Sequence, residues 1–276
     1  MGALHRELKL FSADALELYG QRWEPQGGET VAEVLIVPGF ADHGNRYREV
    51  AHTFAEAGIA TVAVDMRGHG RSEGPRGFVR HFDDYHDDVR AGLATLGKGP
   101  KFIYGHSMGG LIALDLLSRG RDLGLRGVVL SCPFLGLAMK VPPAKLWVAG
   151  LAASLYPRLS MPSGVDPANI SRDPVQVDAY ARDPLVFKSA TVGWFQELTL
   201  AQQRVRDLRA VEQPLLLVYS EEDRLVDGKL TTKLNRQLEC KDKTVVLRPG
   251  GYHEPHSDID RGEMIAKIRD WIRAHV

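Results

Sequence analysis

Gly105-His106-Ser107-Met108-Gly109 carries the G-x-S-x-G spacing that sets a serine on a sharp turn between a strand and a helix. The context supplies both elements: the apolar run KFIY (101–104) leads into it, and LIALDLLSRG follows Gly110. Glycine is required on both sides of such a turn because a Cβ would strike neighbouring backbone. The Ser107 hydroxyl is then exposed at the carboxyl edge of a sheet, beside a helix N-terminus whose dipole and free N–H groups favour negative charge. The plainer alternative is a glycine-rich turn with a helix-capping serine.

A serine hydroxyl is inert at its own pKa and needs a base. Two later loops offer one, each following an apolar run: YSEEDRLVD (219–227) after PLLLV, and GGYHEPHSD (250–258) after TVVLR. In the order nucleophile, acid, histidine, Asp223 is the candidate acid and His253 the candidate base. His253 would take the Ser107 proton and return it to a leaving alcohol, while Asp223 holds the imidazole tautomer. Glu221, Glu222 and Asp227 compete with Asp223, and His256 competes with His253. The oxyanion formed on attack needs two aimed N–H donors. Candidates are the amide of Met108 and the amide of Phe40, in the loop Pro38-Gly39-Phe40-Ala41.

The surrounding elements must bring these groups together. Residues 7–23 alternate apolar and polar side chains around a Ser12-Ala13-Asp14 turn, as in an antiparallel pair. Continuous apolar runs then recur at 31–37, 59–64, 101–104, 127–132, 214–220 and 243–248, as in parallel strands buried on both faces. Helical stripes lie between them, among them Tyr47/Val50/Ala51/Phe54 and Phe82/Tyr85/Val89/Leu93/Leu96, then Leu230/Leu234/Leu238 and Met264/Ile265/Ile268/Trp271/Ile272. The pattern predicts an α/β fold: a mostly parallel, eight-stranded sheet with helices on both faces. One connection is too long for a single crossover helix. It is interrupted by eight prolines, from Pro133 to Pro184. It predicts an inserted helical lid over 133–207, with a core made of 1–132 and 208–276. Within it, Val141–Met161 is apolar nearly all round and flanked by Lys140, Lys145 and Arg158, so one side could face an acyl chain, a membrane or a micelle.

Composition narrows the classes. The 276 residues are 44% hydrophobic and 25% charged with a formal net charge of zero, which excludes a predominantly disordered chain and gives no global field for nucleic acid. Two cysteines, Cys132 and Cys240, exclude a disulfide scaffold and fit a reducing, cytoplasmic compartment. The start of the chain has no secretory signal pattern and no window is apolar enough for a membrane span. HFDDYHDD (81–88) is rich in metal-ligand types but is set on a helix face by Phe82, Tyr85 and Val89. Asp65–Gly70 lacks phosphate-loop spacing. Neither metal nor cofactor is expected. Cys132 reads as a small buried thiol, with a redox-sensitive thiol near the pocket as the alternative.

Taken together, PGFADHGNRY, DMRGHGRSEG, GHSMGG, DAYARDPLVF, EEDRLVD and GGYHEPHSD resemble the monoacylglycerol lipase and lysophospholipase branch of the α/β-hydrolases over nearly the whole chain. The resemblance implies a serine hydrolase whose lid covers an apolar acyl channel. It also assigns Asp223 and His253 as acid and base, and maps the glycerol-contacting residues onto Asp42, Arg46, His106 and His256. One departure is Pro38-Gly39 where the family usually has His-Gly. The expected reaction is hydrolysis of a monoacylglycerol to glycerol and fatty acid. A lysophospholipase or broad carboxylesterase is the alternative; an acyltransferase or a non-catalytic binding module is further off.

Overall fold

The computed structural model describes residues 3–120, 122–139 and 153–276. Its centre is an eight-stranded sheet built from β1 (Ala3–Phe11), β2 (Glu17–Pro25), β3 (Ala32–Val37), β4 (Ile59–Val64), β5 (Lys101–His106), β6 (Leu125–Ser131), β9 (Leu215–Tyr219) and β10 (Lys243–Leu247). The spatial order is β1-β2-β4-β3-β5-β6-β9-β10. The first two strands run antiparallel to their neighbours, and all later pairings are parallel.

Alternation along the strands divides the core in two. On β3, Val34 and Ile36 face a layer that includes Phe54 of α1 (Arg48–Glu56) and Ile268 of α7 (Arg261–Ala274). Leu35 and Val37 face the opposite layer, with Val89 of α2 (Asp84–Ala94) and Ile112 of α3 (Met108–Leu117). A further helix, α6 (Gly228–Gln237), joins the last two strands. One strand departs from expectation. The apolar run at 243–248 forms β10 at the sheet edge, where Val245 is 38% and Leu247 49% exposed. Such a run marks a strand, yet an edge strand is only partly covered.

Between β6 and β9 the chain forms a two-stranded ribbon of β7 (Ser160–Pro162) and β8 (Ser189–Thr191), with α4 (Pro174–Arg182) between them and α5 (Val192–Arg206) after. Both helices start on side-chain caps: Asp173 accepts from Val175 N–H, with Pro174 in the first turn, and Thr191 accepts from Trp194 N–H. A small apolar cluster of Ile170, Tyr180 and Val186 holds α4. In contrast, α5 buries Trp194, Leu198, Ala201 and Val205 in the main core against α3. Helix α5, which falls inside the expected 133–207 insertion, thus packs with the sheet layer. Most of the expected apolar helix at 141–161 lies outside the described residues. On either side of that gap, Met139, Leu155, Tyr156, Leu159 and Met161 are each at least half exposed.

The α3–α5 contact is fastened by a buried ion pair. Asp115 on α3 is fully buried and takes both Nε and Nη2 of Arg204 at 2.8 Å, with His86 of α2 at 3.0 Å. Burial would raise the Asp115 pKa, but Arg204 and His86 bring it down to about 2 instead. The HFDDYHDD stretch does gather Asp83 and His86 near Asp115, but the guanidinium already supplies the positive charge there. Asp115→Ala removes two hydrogen bonds to a charged group, and should lose about 2 kcal/mol in urea unfolding, above the effect of removing the exposed Glu263–Lys267 pair on α7.

Candidate active site

The turn between β5 and α3 is tight because glycine backbones touch there. A Cβ on Gly105 would lie 2.6 Å from the Gly109 carbonyl oxygen, and one on Gly109 would overlap the Val37 carbonyl. Ser107 is left at φ 52, ψ −116, a strained setting for a residue with a side chain. Its backbone is fully engaged. The N–H donates to the Ser131 carbonyl at 2.9 Å, and its carbonyl accepts from Leu111 and Phe134. Although Ser107 precedes α3, its hydroxyl makes no helix-capping bond. It meets His253 instead.

His253 Nε2 lies 2.9 Å from Ser107 Oγ, and His253 Nδ1 lies 2.7 Å from Asp223 Oδ2. The second oxygen of Asp223 accepts from Leu225 N–H at 2.8 Å and Val226 N–H at 3.1 Å, which fixes the carboxylate's orientation. The other acidic candidates have different duties. Asp227 caps α6 through Lys229 N–H, Glu222 accepts from Ser220 and Gly250, and Glu221 accepts from Thr232. Beside Ser107, the backbone N–H groups of Phe40 and Met108 have no hydrogen-bond acceptor among the described residues. Gly39 makes room for the loop: a Cβ there would sit 3.3 Å from Ser107 Cβ.

A cavity opens over this group. Its lining combines apolar side chains, among them Phe134, Leu137, Val165, Ile170, Leu225 and Val226, with polar ones, among them Asp42, His106, Tyr180 and Glu254. Of the four residues expected at the head group, Asp42 and His106 line the cavity. Arg46 and His256 do not. Arg46 is drawn away by Glu254, which takes its two Nη atoms at 2.8 and 2.6 Å, and by Asp42 at 3.0 Å. His256 stacks on Tyr47 with centroids 4.4 Å apart, and both its ring nitrogens are buried without a hydrogen bond among the described residues. Glu254 was not singled out by sequence reasoning. Its only signal is its place directly after His253.

The three neighbouring imidazoles differ sharply. For His253, burial pushes the pKa down, but the Asp223 carboxylate and its hydrogen bond, helped by Glu254 and Asp42, leave it above the usual value. Burial dominates at the other two, taking His256 to about 4 and His106 well below its ordinary range. Cys132 is buried at φ 44, its Sγ within 4.8 Å of Asp223 and His253. Burial and the Asp223 charge push the thiol up, so it stays protonated.

Residues 28–260 match the family described as serine aminopeptidase, S33. The chain is 30% identical over 249 residues to the monoacylglycerol lipase of Mycolicibacterium smegmatis, covering 88% of each chain. It is 31% identical over 270 residues to an uncharacterized abhydrolase domain-containing protein of Dictyostelium discoideum, matching 97% of this chain but spanning only 29% of that relative's length. Among solved structures, the monoacylglycerol lipase of Paleococcus ferrophilus superposes with a TM-score of 0.83 at 27% identity, covering 100% of both chains.

Imidazole ¹⁵N NMR on the full chain should resolve the three histidines. His253 should gain its proton at a pH above 6.5, whereas His256 should stay neutral until about pH 4. A raised folded pKa means that protonating His253 stabilises the fold at pH below the unfolded value, a contribution lost as pH rises through the folded pKa. Asp223→Asn should lower the His253 titration, and a midpoint unmoved by that change would contradict the assigned cause.

Proposed function

This chain belongs to the serine aminopeptidase S33 family of α/β-hydrolases, and from that premise we propose that it cleaves the ester bond of monoacylglycerols, releasing glycerol and a fatty acid through an acyl-enzyme on Ser107. The observation that carries this reading is the continuous chain Asp223–His253–Ser107, at 2.7 and 2.9 Å, with Ser107 and His253 on a cavity lined by both apolar and polar side chains.

In the proposed mechanism Ser107 Oγ attacks the ester carbonyl carbon and its proton passes to His253 Nε2. The carbonyl oxygen becomes an oxyanion held by the Phe40 and Met108 N–H groups. Asp223 stabilises the imidazolium. Collapse of the tetrahedral intermediate breaks the bond to the alcohol oxygen, which takes the proton from His253 and leaves as glycerol. Water then attacks the acyl-enzyme, giving its proton to His253, and the second collapse returns Ser107 with the fatty acid released. No step calls for a metal or cofactor.

The apolar part of the lining is the place for the acyl chain, at about 0.8 kcal/mol per buried methylene. The polar part, with Asp42 and His106, is the place for the glycerol hydroxyls. The exposed Leu155, Tyr156, Leu159 and Met161 are suited to touching a membrane or micelle surface from which the lipid is taken. No helix among the described residues is long and apolar enough to cross a membrane, and the two unpaired cysteines suit a reducing, cytoplasmic compartment.

Ser107→Ala should lower kcat by roughly 10⁴-fold or more and abolish labelling by a lipophilic fluorophosphonate. A variant that kept its esterase rate would overturn the mechanism. With the native chain, kcat should rise as pH increases through a value above 6.5, where His253 becomes neutral. In a series of monoacylglycerols, kcat/KM should climb about fourfold per added methylene until the apolar lining is covered. A flat series would remove the acyl-channel assignment.

A further inference from the structure

The polar lining of the cavity has an unbalanced charge. Asp42 and Glu254 are each 3% exposed, and together they share one guanidinium, Arg46. Burial alone would raise the Asp42 pKa, but Arg46 and the nearby histidines override it and keep Asp42 below the usual carboxylate range. His106 and His256 adjoin the cluster and add no charge near neutrality, since burial takes both far below pH 7. His43, next to Asp42, is matched by Asp183 at 3.0 Å, and Asp223 contributes a further carboxylate through His253. A countering cation on the cavity, Arg224, is exposed, its guanidinium 4.3 Å from the centroid of the Tyr252 ring. In water its field is screened, whereas that of the buried cluster is not.

Arg46 cannot serve as an anion ligand in this arrangement. Both its Nη atoms are taken by Glu254, and its guanidinium lies 4.7 Å from the centroid of the Tyr180 ring. A guanidinium presents a planar fork that fits one carboxylate or one phosphate, and Glu254 fills it. The leaving alcohol takes its proton from His253, which lines the same cavity as Glu254, Asp42 and His106.

We propose that the Asp42–Arg46–Glu254 cluster is a charge filter for the alcohol half of the substrate: esters of neutral or cationic alcohols are accepted, and esters of anionic alcohols, phosphate-bearing ones included, are rejected. This deepens the ester-hydrolase reading and rests on it. Glu254 is the specificity-determining residue, because it both adds the surplus negative charge and occupies the one buried cation that would otherwise bind an anion.

Three esters of one acyl chain test this with the full-length protein: decanoyl glycerol, decanoyl choline and decanoyl glycolate, each below its micellar concentration and each rate divided by that ester's hydroxide-catalysed rate. The choline ester should match the glycerol ester within about threefold, and kcat/KM for the glycolate ester should be at least about tenfold lower. Glu254→Gln should raise the glycolate-to-glycerol ratio by about tenfold, as Arg46 is freed and the surplus charge removed. If that variant does not fold, salt supplies the second readout. The native ratio should hold between about 0.05 and 0.5 M NaCl, because buried charges are screened little. Equal handling of glycolate and glycerol esters, or a ratio that collapses with salt, overturns the filter. Ser107→Ala separates the two readings: loss of all three activities keeps the ester hydrolase whatever the ratios, while retained activity removes the hydrolase reading itself.

Discussion

The geometry of the site rests on a steric fact, the close approach of glycine backbones under Ser107. Gly109 lies so near the Val37 carbonyl that no side chain fits, and Gly105 is similarly pressed against Gly109. That contact forces the chain to turn from β5 into α3 within one residue, and Ser107 absorbs the turn at φ 52. A residue in this region costs about 1–3 kcal/mol, and the fully buried α3 with its Asp115–Arg204 anchor holds it there. The same turn leaves the Met108 N–H at the start of the helix, where the helix dipole favours negative charge.

Asp223 and His253 reach Ser107 because β9 and β10 run parallel to β5, so their following loops emerge at one sheet edge. The His253 loop is then braced from two directions. Asp258, fully buried, pairs with Arg248 at 2.9 Å and with Arg172 at 2.8 Å. Ser171 donates to the Ser257 carbonyl, and the Ile170 carbonyl accepts from Glu254 N–H. The segment before α4 thus both lines the cavity through Asn169 and Ile170 and steadies the loop that carries His253. Loops without regular hydrogen bonding need such support if a side chain is to be held at 2.9 Å from its target.

Much of this is legible in the residues themselves. The elbow is readable because glycine spacing, a preceding apolar run and a following helical stripe all agree. The choice of Asp223 over Asp227 is not, because a helix-capping aspartate and one aimed at a histidine have the same local sequence appearance until the start of α6 is known. One reading of strand burial failed for a reason of tertiary context. The run at 243–248 is apolar like its neighbours, yet being last in the sheet it is only partly covered. Helix α5 falls inside the long connection, yet it packs in the main core, since chain position does not reveal which surface a helix finds. Arg46 and His256 were expected at the head group; the carboxylate of Glu254, a residue given no role by motif, pulls the first away, and Tyr47 stacks over the second.

The two buried guanidinium clusters show how one kind of interaction serves two purposes by its stoichiometry. At Asp115, the carboxylate meets Arg204 at 2.8 Å and Arg119 at 3.7 Å, while Asp83 pairs with the same two guanidiniums, so carboxylates and guanidiniums match in number. Beneath the cavity the balance is inverted toward the carboxylates, with Asp42 and Glu254 sharing Arg46. A buried surplus of negative charge costs desolvation energy, and a fold seeking only stability would not retain it. Its field acts on His253, whose proton affinity is raised by Glu254 and Asp42 as well as by Asp223. In the proposed reaction that imidazole is cationic whenever the tetrahedral intermediate exists. The inverted cluster therefore stabilises the charged form of the base when it is needed, at the expense of a more acid-sensitive resting state. Ground-state stability and electrostatic preorganisation oppose each other in this cluster, and the excess of carboxylates indicates which has prevailed.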